Sequence, residues 1–207
     1  MFFSFDGVDG AGKSTQIARF AAWLEARGHD VTVCRDPGST PLGESLRELL
    51  LHASDETPIG LPAEMLMYMA ARAQLVEQVI RPALDAGHVV VSDRYVLANV
   101  VYQGHAGGLD PAAVGSVGDV ATRGTVPACV FVLDLDPEEA ARRRAEPADR
   151  MESRGMEYAT RVRKGFLAEA KRHPEQITVI DAAGTPDEIE QRVREAALAR
   201  APQLAAP

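Results

Sequence analysis

The chain has 207 residues, a length that suits one compact α/β domain with at most a small mobile insert. Acidic side chains outnumber lysines and arginines by 30 to 22, and the net charge of −8 argues against non-specific binding to nucleic acid or to an anionic membrane. No apolar run approaches membrane-spanning length and no signal peptide is apparent. We therefore expect a cytoplasmic protein, in which Cys34 and Cys129 are buried free thiols.

A phosphate-binding pattern lies near the N-terminus. A short apolar strand over Phe2–Phe5 leads into a glycine-rich turn and then into a helical pattern from Gln16 to Ala26, which is the context in which G-x-x-x-x-G-K-[ST] binds phosphate. Such a turn points backbone N–H groups inward, and the helix N-terminus adds partial positive charge. Lys13 is expected to reach the β- and γ-phosphates of a nucleotide, and Ser14 to bind Mg²⁺. The alternative is a glycine-rich turn that matches by chance. The candidate residues of the turn are Gly7, Val8, Asp9, Gly10, Ala11, Gly12, Lys13, Ser14 and Thr15.

Strand-like runs and helical patterns alternate along the rest of the chain. The further predicted strands are 31–35, 89–92, 129–135 and 177–180. The predicted helices are 42–51, 63–86, one within 93–108, 111–124, 137–144, 156–173 and 186–200, and Pro82 is expected to kink or end the second of them. Five such alternations predict a parallel sheet with helices on both faces, which binds ligands at the carboxyl ends of its strands. Residues 1–200 are expected to form a single domain, and 201–207 a frayed tail.

Charged residues follow the predicted strands at their carboxyl ends. Arg35 and Asp36 follow the second strand, and Asp93 and Arg94 follow the third. Because these ends meet at one edge of the sheet, the charges are expected to surround one cleft. Asp93 occupies the position where phosphate-loop enzymes place a carboxylate for Mg²⁺ or its water, although a helix N-cap is a compatible alternative. The adjacent guanidinium of Arg94 suits a clamped phosphate.

A candidate nucleobase site lies on the long helix. Tyr68 precedes Arg72 by one helical turn, so both side chains point to one side. An aromatic face beside an arginine fork suits a stacked base with a carbonyl acceptor. The alternative is ordinary core packing of Tyr68 among neighbouring methionines, and without further information it would be preferred.

An arginine-rich segment without core periodicity lies at about 142–155. It contains Arg142, Arg143, Arg144, Arg150 and Arg154. One interpretation is a solvated basic face; the other is a mobile lid whose arginines close over a transferred phosphate.

Taken together, these residues resemble the thymidylate kinase family, whose members phosphorylate dTMP to dTDP with ATP. The resemblance runs over roughly residues 3–190. It rests on the phosphate loop, on R-x-P-G-x-T from Arg35, on R-A-Q from Arg72, on D-R-Y from Asp93, on Y-Q-G from Tyr102 and on D-R-M-E from Asp149. The combination is specific to this family, whereas the phosphate loop alone names only a superfamily. Asp6 and Asp36 stand where many members have glutamate, and Tyr68 stands where many have phenylalanine.

The resemblance implies a three-layer nucleoside-monophosphate kinase fold, Mg²⁺ as cofactor, ATP as co-substrate and a homodimer. It assigns Asp9 to the dTMP sugar and phosphate, Arg47 and Arg94 to the dTMP phosphate, and Tyr102 to selection of deoxyribose. It assigns the thymine base to Tyr68, Arg72, Asn99 and Gln103, with Asp36 also in the dTMP site. It assigns Arg142, with the loop, to ATP binding, and Mg²⁺ to Ser14 and Asp93. Because position 10 is glycine, the catalytic arginine is expected in the lid. The implied catalytic residues are Lys13, Asp9, Arg94, Arg143 and Arg150.

Two alternatives stay open at this point. One is a phosphate-loop kinase for another deoxynucleoside or nucleoside monophosphate. The other is a nucleotide-binding switch without transfer activity, which would need no second nucleotide pocket.

Overall fold

A computed structural model describes residues 1–53, 58–143 and 154–205. Its centre is a five-stranded sheet made of β1 (Phe2–Gly7), β2 (Val31–Arg35), β3 (Val89–Asp93), β4 (Cys129–Asp134) and β5 (Ile177–Asp181). The strands are all parallel and lie in the order β2-β3-β1-β4-β5, which places β1 in the middle. The predicted parallel sheet flanked by helices is confirmed.

The helices connect successive strands, as parallel pairing requires. They are α1 (Lys13–Glu25), α2 (Pro41–His52), α3 (Leu61–Leu75), α4 (Arg81–Asp85), α5 (Val96–Asn99), α6 (Pro111–Thr122), α7 (Pro137–Arg143), α8 (Met156–Arg172) and α9 (Pro186–Arg200). Two π-helical segments, Val76–Ile80 and Val100–His105, join α3 to α4 and extend α5. Among the described residues, none of these helices combines the length and the apolar character that crossing a membrane would require.

The core is built around the apolar central strands. Phe3 and Phe5 of β1 pack with Phe131 of β4 and Phe20 of α1, and all four rings are almost completely buried. Burial on both faces explains why these strands read as continuous apolar runs. The polar residues at their carboxyl ends are therefore held on a rigid edge.

The long predicted helix contains a π-helical turn where a kink or stop was expected. Val76–Ile80 forms the wider turn, and the helix then continues through Pro82 to Asp85. Proline has no N–H to donate within the helix, so a local change of hydrogen bonding next to it is expected. Helical spacing would place Leu66 with the other apolar residues of this helix, but its side chain is exposed.

The predicted frayed tail is wrong for Ala201–Ala205. This stretch contains the 3₁₀-helix Pro202–Ala205, and Ala201 and Leu204 are buried in the main core. Leu204 removes apolar surface from water, which holds the end of the chain against the domain. Residues 206–207 lie outside the described part of the chain.

Candidate active site

The phosphate loop sits at the carboxyl end of the central strand. Gly7 ends β1 with φ of 134°, and a Cβ there would lie 2.5 Å from the Leu133 carbonyl oxygen of β4, so only glycine fits. Gly10 and Gly12 have φ of 89° and 90°, which other residues rarely adopt. The loop then delivers the chain to α1 at Lys13, whose first turn presents backbone N–H groups toward the loop.

Lys13 is the cation of the loop. Its side chain is nearly buried, and Nζ donates to the carbonyl oxygens of Gly7 at 3.2 Å and Val8 at 3.0 Å. Nζ also lies 3.2 Å from Oδ1 of Asp9. Ser14 and Thr15 are exposed at the start of α1. The lysine is therefore folded back onto its own loop by partners that a bound phosphate could replace.

Arg94 meets Lys13 at the same carboxylate. Arg94 adopts φ of 67°, its Nη2 lies 2.5 Å from Oδ1 of Asp9, and its Nη1 donates to the Gly7 carbonyl at 3.2 Å. The guanidinium also lies 4.9 Å from the ring centre of Tyr102, whose hydroxyl donates to Oδ2 of Asp9. Burial raises the pKa of Asp9, but Arg94 and Lys13 outweigh it and hold that pKa well below its ordinary value. Asp9 is thus an ionised bridge between two cations.

Two further carboxylates lie beneath the loop. Asp93 ends β3, and its Oδ1 is buried without a hydrogen bond from any described residue. Asp6 is completely buried in β1, neither of its oxygens accepts a hydrogen bond from the described residues, and Oδ1 lies 3.9 Å from Nη1 of Arg94. Burial raises the pKa of Asp6 to about 7, against the opposing charges of Arg94 and Lys13. The sequence analysis did not place Asp6 in the site, although a carboxylate in an otherwise apolar strand was a signal.

A cleft beside the loop brings together all the residues that the sequence analysis assigned to an acceptor nucleotide. Its lining includes Asp9, Asp36, Arg47, Tyr68, Arg72, Arg94, Asn99, Tyr102 and Gln103. These residues come from the phosphate loop, the end of β2, α2, α3, the end of β3 and the α5 region. Arg47 donates to the carbonyl of Pro37 at 3.1 Å. One cleft therefore collects side chains separated by more than ninety positions in the chain.

Arg72 organises the floor of this cleft. Its side chain is 1% exposed, and Nε lies 2.5 Å from Oδ2 of Asp36. Nη2 donates to the Tyr95 carbonyl at 3.1 Å and to Oδ1 of Asn99 at 2.6 Å. Burial raises the pKa of Asp36, while the charge of Arg72 opposes that rise. The sequence placed Arg72 in the site but gave no indication of its pairing with Asp36.

The network continues beyond the predicted residues. Asn99 donates from Nδ2 to Oε1 of Gln103 at 2.7 Å, and Gln103 donates from Nε2 to Oε1 of Glu64 at 2.8 Å. Oε2 of Glu64 lies 2.7 Å from Nη2 of Arg154. No sequence pattern pointed to Glu64, because an acid in a first helical turn is an ordinary surface feature. Arg154 was predicted only as part of the arginine-rich segment, and its link to the acceptor residues was not.

The predicted lid arginines are not all brought to the site. Arg143 donates to the carbonyl of Ala182 at 3.0 Å and pairs with Glu139 of its own helix, and Arg142 is exposed beside it. Arg144 and Arg150 lie outside the described residues, as does most of the predicted lid. Within the described part of this segment, Arg154 is linked to the acceptor cleft indirectly, through Glu64 and Gln103.

Comparisons with known proteins identify the family of the chain. A family model described as thymidylate kinase matches residues 5–193. A thymidylate kinase from Oleidesulfovibrio alaskensis is 42% identical over 205 residues, covering 95% of this chain and 96% of the relative. One from Bifidobacterium longum is 43% identical over 185 residues, covering 88% and 90%. The crystal structure of thymidylate kinase from Ehrlichia chaffeensis superposes with a TM-score of 0.77 at 30% identity, covering 95% of this chain and 97% of that one.

Proposed function

The chain belongs to the thymidylate kinase family, and on that premise we propose which of its residues carry out the family's reaction. The protein phosphorylates dTMP to dTDP with ATP. One observation carries the residue assignment: Asp9 contacts both Lys13 of the phosphate loop and Arg94 of the acceptor cleft. This shared carboxylate supports assigning the donor and acceptor phosphates to adjacent sites, which in-line transfer between two phosphates requires.

On the donor side, Lys13 and the loop N–H groups bind the β- and γ-phosphates of ATP. Ser14 and Asp93 hold Mg²⁺, either directly or through water. The donor set fits, since both residues offer oxygen atoms and Oδ1 of Asp93 is buried without a hydrogen bond among the described residues. When bound, Mg²⁺ neutralises charge on the transferred phosphate.

On the acceptor side, Arg94 and Arg47 bind the dTMP phosphate. Arg94 would exchange its contact with Asp9 for a contact with the dTMP phosphate. A bond between a guanidinium and a phosphate is charge-assisted and therefore strong, and this one would hold the phosphate at the position of attack. The acceptor phosphate is already an anion, so no general base is needed. Before the substrates bind, Asp9 holds Lys13 and Arg94 together at the boundary between the two phosphate sites.

The thymine base binds among Tyr68, Arg72, Asn99 and Gln103. Tyr68 stacks on the ring and Arg72 donates to a base carbonyl, from a position held by Asp36. Tyr102 approaches the 2′ carbon of the sugar and so favours deoxyribose.

A catalytic arginine from residues 142–150 and an ATP contact from Arg142 stay predictions. Arg143 is bound to Ala182 and Glu139 and would have to leave both to reach a phosphate. Arg150 lies outside the described residues.

We also propose a cytoplasmic homodimer. Helix α3 packs between α2 and α6, and each of the three exposes a large apolar side chain, namely Leu49, Leu66 and Val120. Exposed apolar groups on adjacent helices are typical of a surface that a second copy covers.

The assignment is tested by measuring ADP release with dTMP, dAMP, dCMP and thymidine as acceptors, for the wild type and for Arg94→Ala. We expect dTMP to be preferred and Arg94→Ala to lower kcat/KM for dTMP by about 10²-fold or more, because a charge-assisted phosphate contact is lost. Binding of ATP alone should be unchanged. An unaltered kcat/KM for dTMP in the variant would refute the assigned acceptor-phosphate site.

A further inference from the structure

The acceptor cleft is backed by a continuous chain of polar side chains. It runs from Asp36 through Arg72, Asn99, Gln103 and Glu64 to Arg154, with each successive pair of polar atoms between 2.5 and 2.8 Å apart. The first five residues of this chain are buried. Its far end, Arg154, lies beyond the base-binding residues, so the chain extends behind the pocket rather than into it.

The two ends of this chain fix the orientation of the amides between them. An ionised carboxylate only accepts hydrogen bonds and a guanidinium only donates them, whereas an amide does both. Glu64 therefore requires the NH₂ group of Gln103 to face it, which turns the Gln103 carbonyl toward the NH₂ group of Asn99. Arg72 in turn requires the Asn99 carbonyl to face it. The charges at both ends specify the same orientation.

That orientation suits thymine and not cytosine. The Asn99 carbonyl has two lone pairs and gives only one of them to Arg72, so it can accept a further hydrogen bond. Thymine carries N3–H and a C4 carbonyl, which match a carbonyl acceptor beside a guanidinium donor. Cytosine reverses both groups, with a bare N3 and an NH₂ at C4. A reversed pair of amides would suit cytosine instead.

Arg154 holds Glu64 in place. Glu64 is completely buried, and Nη2 of Arg154 lies 2.7 Å from its Oε2 while its Oε1 accepts from Gln103. Arg154 is itself held by Tyr158, whose hydroxyl accepts from Nη1 at 3.1 Å and donates to the Tyr102 carbonyl at 2.8 Å. The guanidinium also lies 5.0 Å from the Tyr158 ring centre.

We propose that Glu64, held in place by Arg154, is a positioning residue for base specificity that fixes the amide orientation of Asn99 and Gln103. The inference rests on the proposed assignment of the base to Arg72, Asn99 and Gln103. Glu64 acts through Gln103, and Arg154 acts through Glu64. Neither residue is needed for transfer of the phosphate itself.

The test compares kcat/KM for dTMP and for dCMP in Glu64→Gln and Arg154→Met. Glu64→Gln keeps the side-chain length and removes the charge that faces Gln103, and Arg154→Met keeps the apolar stem but removes the guanidinium that holds Glu64. We expect the dTMP-to-dCMP ratio to fall about 10-fold, since one net hydrogen bond is exchanged for a mismatched one. KM for dTMP should rise while KM for ATP and kcat with saturating dTMP stay within about twofold.

Matched controls lie on α8. Glu157→Gln and Arg161→Met alter an exposed ion pair one turn apart, and Arg161 contacts the same Tyr158 ring but not Glu64. They should leave the ratio unchanged. Tyr158→Phe removes one support of Arg154 and should lower the ratio by a smaller factor than Arg154→Met.

The possible results distinguish a failure of the positioning role of Glu64 from a failure of the base-pocket assignment on which it rests. If Arg72→Met leaves the ratio unchanged, the assigned base pocket is wrong. If Arg72→Met lowers the ratio while Glu64→Gln and Arg154→Met keep it within twofold, the positioning role is overturned and the pocket stands. Thermal unfolding is followed for each variant. Should Glu64→Gln fail to fold, Arg154→Met decides, because Arg154 is partly exposed and Met preserves its apolar stem.

Discussion

The base pocket and the phosphate loop differ in how deeply their paired charges are buried. In the base pocket, Arg72 and Asp36 are both buried and bound to each other, so the charges are paired before any ligand arrives. At the loop, Lys13 and Arg94 converge on Asp9, whose side chain is 30% exposed at the boundary between the two sites. A buried pair cannot be separated cheaply, whereas a partly exposed contact can be exchanged for a ligand. The recognition of the base is built into the fold, and the positive charge at the loop is available to phosphates.

The largest expected effect comes from breaking the buried pair. Arg72→Met leaves Asp36 as an uncompensated buried carboxylate, and removing one partner of such a pair typically costs about 3–5 kcal/mol of unfolding free energy. Urea denaturation of the variant should show this loss. In the double variant Arg72→Met/Asp36→Leu, much of the lost stability should return, because no charge is left unpaired. If Arg72→Met were as stable as the wild type, the buried pair would contribute no more to stability than the contacts at the loop, and the two regions would not differ in this respect.

A charge removed at the loop should affect catalysis instead of stability. Lys13→Met keeps the side-chain stem, and Asp9 remains paired with Arg94. We expect kcat to fall about 10²–10³-fold, which is typical for loss of one positioned charge-stabilising group. The free energy of unfolding should change far less than in Arg72→Met. A loss of stability equal to that of Arg72→Met would show that Lys13 is as deeply built into the fold as the base pocket.

Sequence reasoning reached the loop and the gathering of the acceptor residues because local rules govern them. The spacing of Gly7, Gly12 and Lys13 determines an anion-binding turn, and parallel strands bring their carboxyl ends to one edge. The same rules place Tyr68 and Arg72 on one side of a helix.

The pairings behind the pocket depended on tertiary structure. Asp36 and Arg72 are 36 positions apart, and Glu64 and Arg154 are 90 apart, so no local pattern connects them. For a similar reason, the burial of Leu204 was not predicted. Whether a terminal leucine is buried depends on where the core ends, which only the packed domain determines.

Asp6 offers the smallest and most specific test of the contrast. Like Asp36 it is completely buried, but it lies beneath the loop, 3.9 Å from Arg94, and accepts no hydrogen bond from the described residues. Its pKa is raised by burial from 3.8 to about 7, so the folded chain holds a proton there that the unfolded chain releases. Stability contributed by that proton is present at low pH and is lost as pH rises toward 7. Between pH 6 and pH 8 the free energy of unfolding of the wild type should fall by about 1.4 kcal/mol relative to that of Asp6→Asn, whose side chain does not titrate.

The measurement is urea denaturation across this pH range without nucleotide or metal. Asp181→Asn is the matched control, because Asp181 ends β5 and is exposed. Parallel stability curves for the wild type and Asp6→Asn would mean that burial does not raise the pKa of Asp6, and the contrast between the two regions would not extend to this residue.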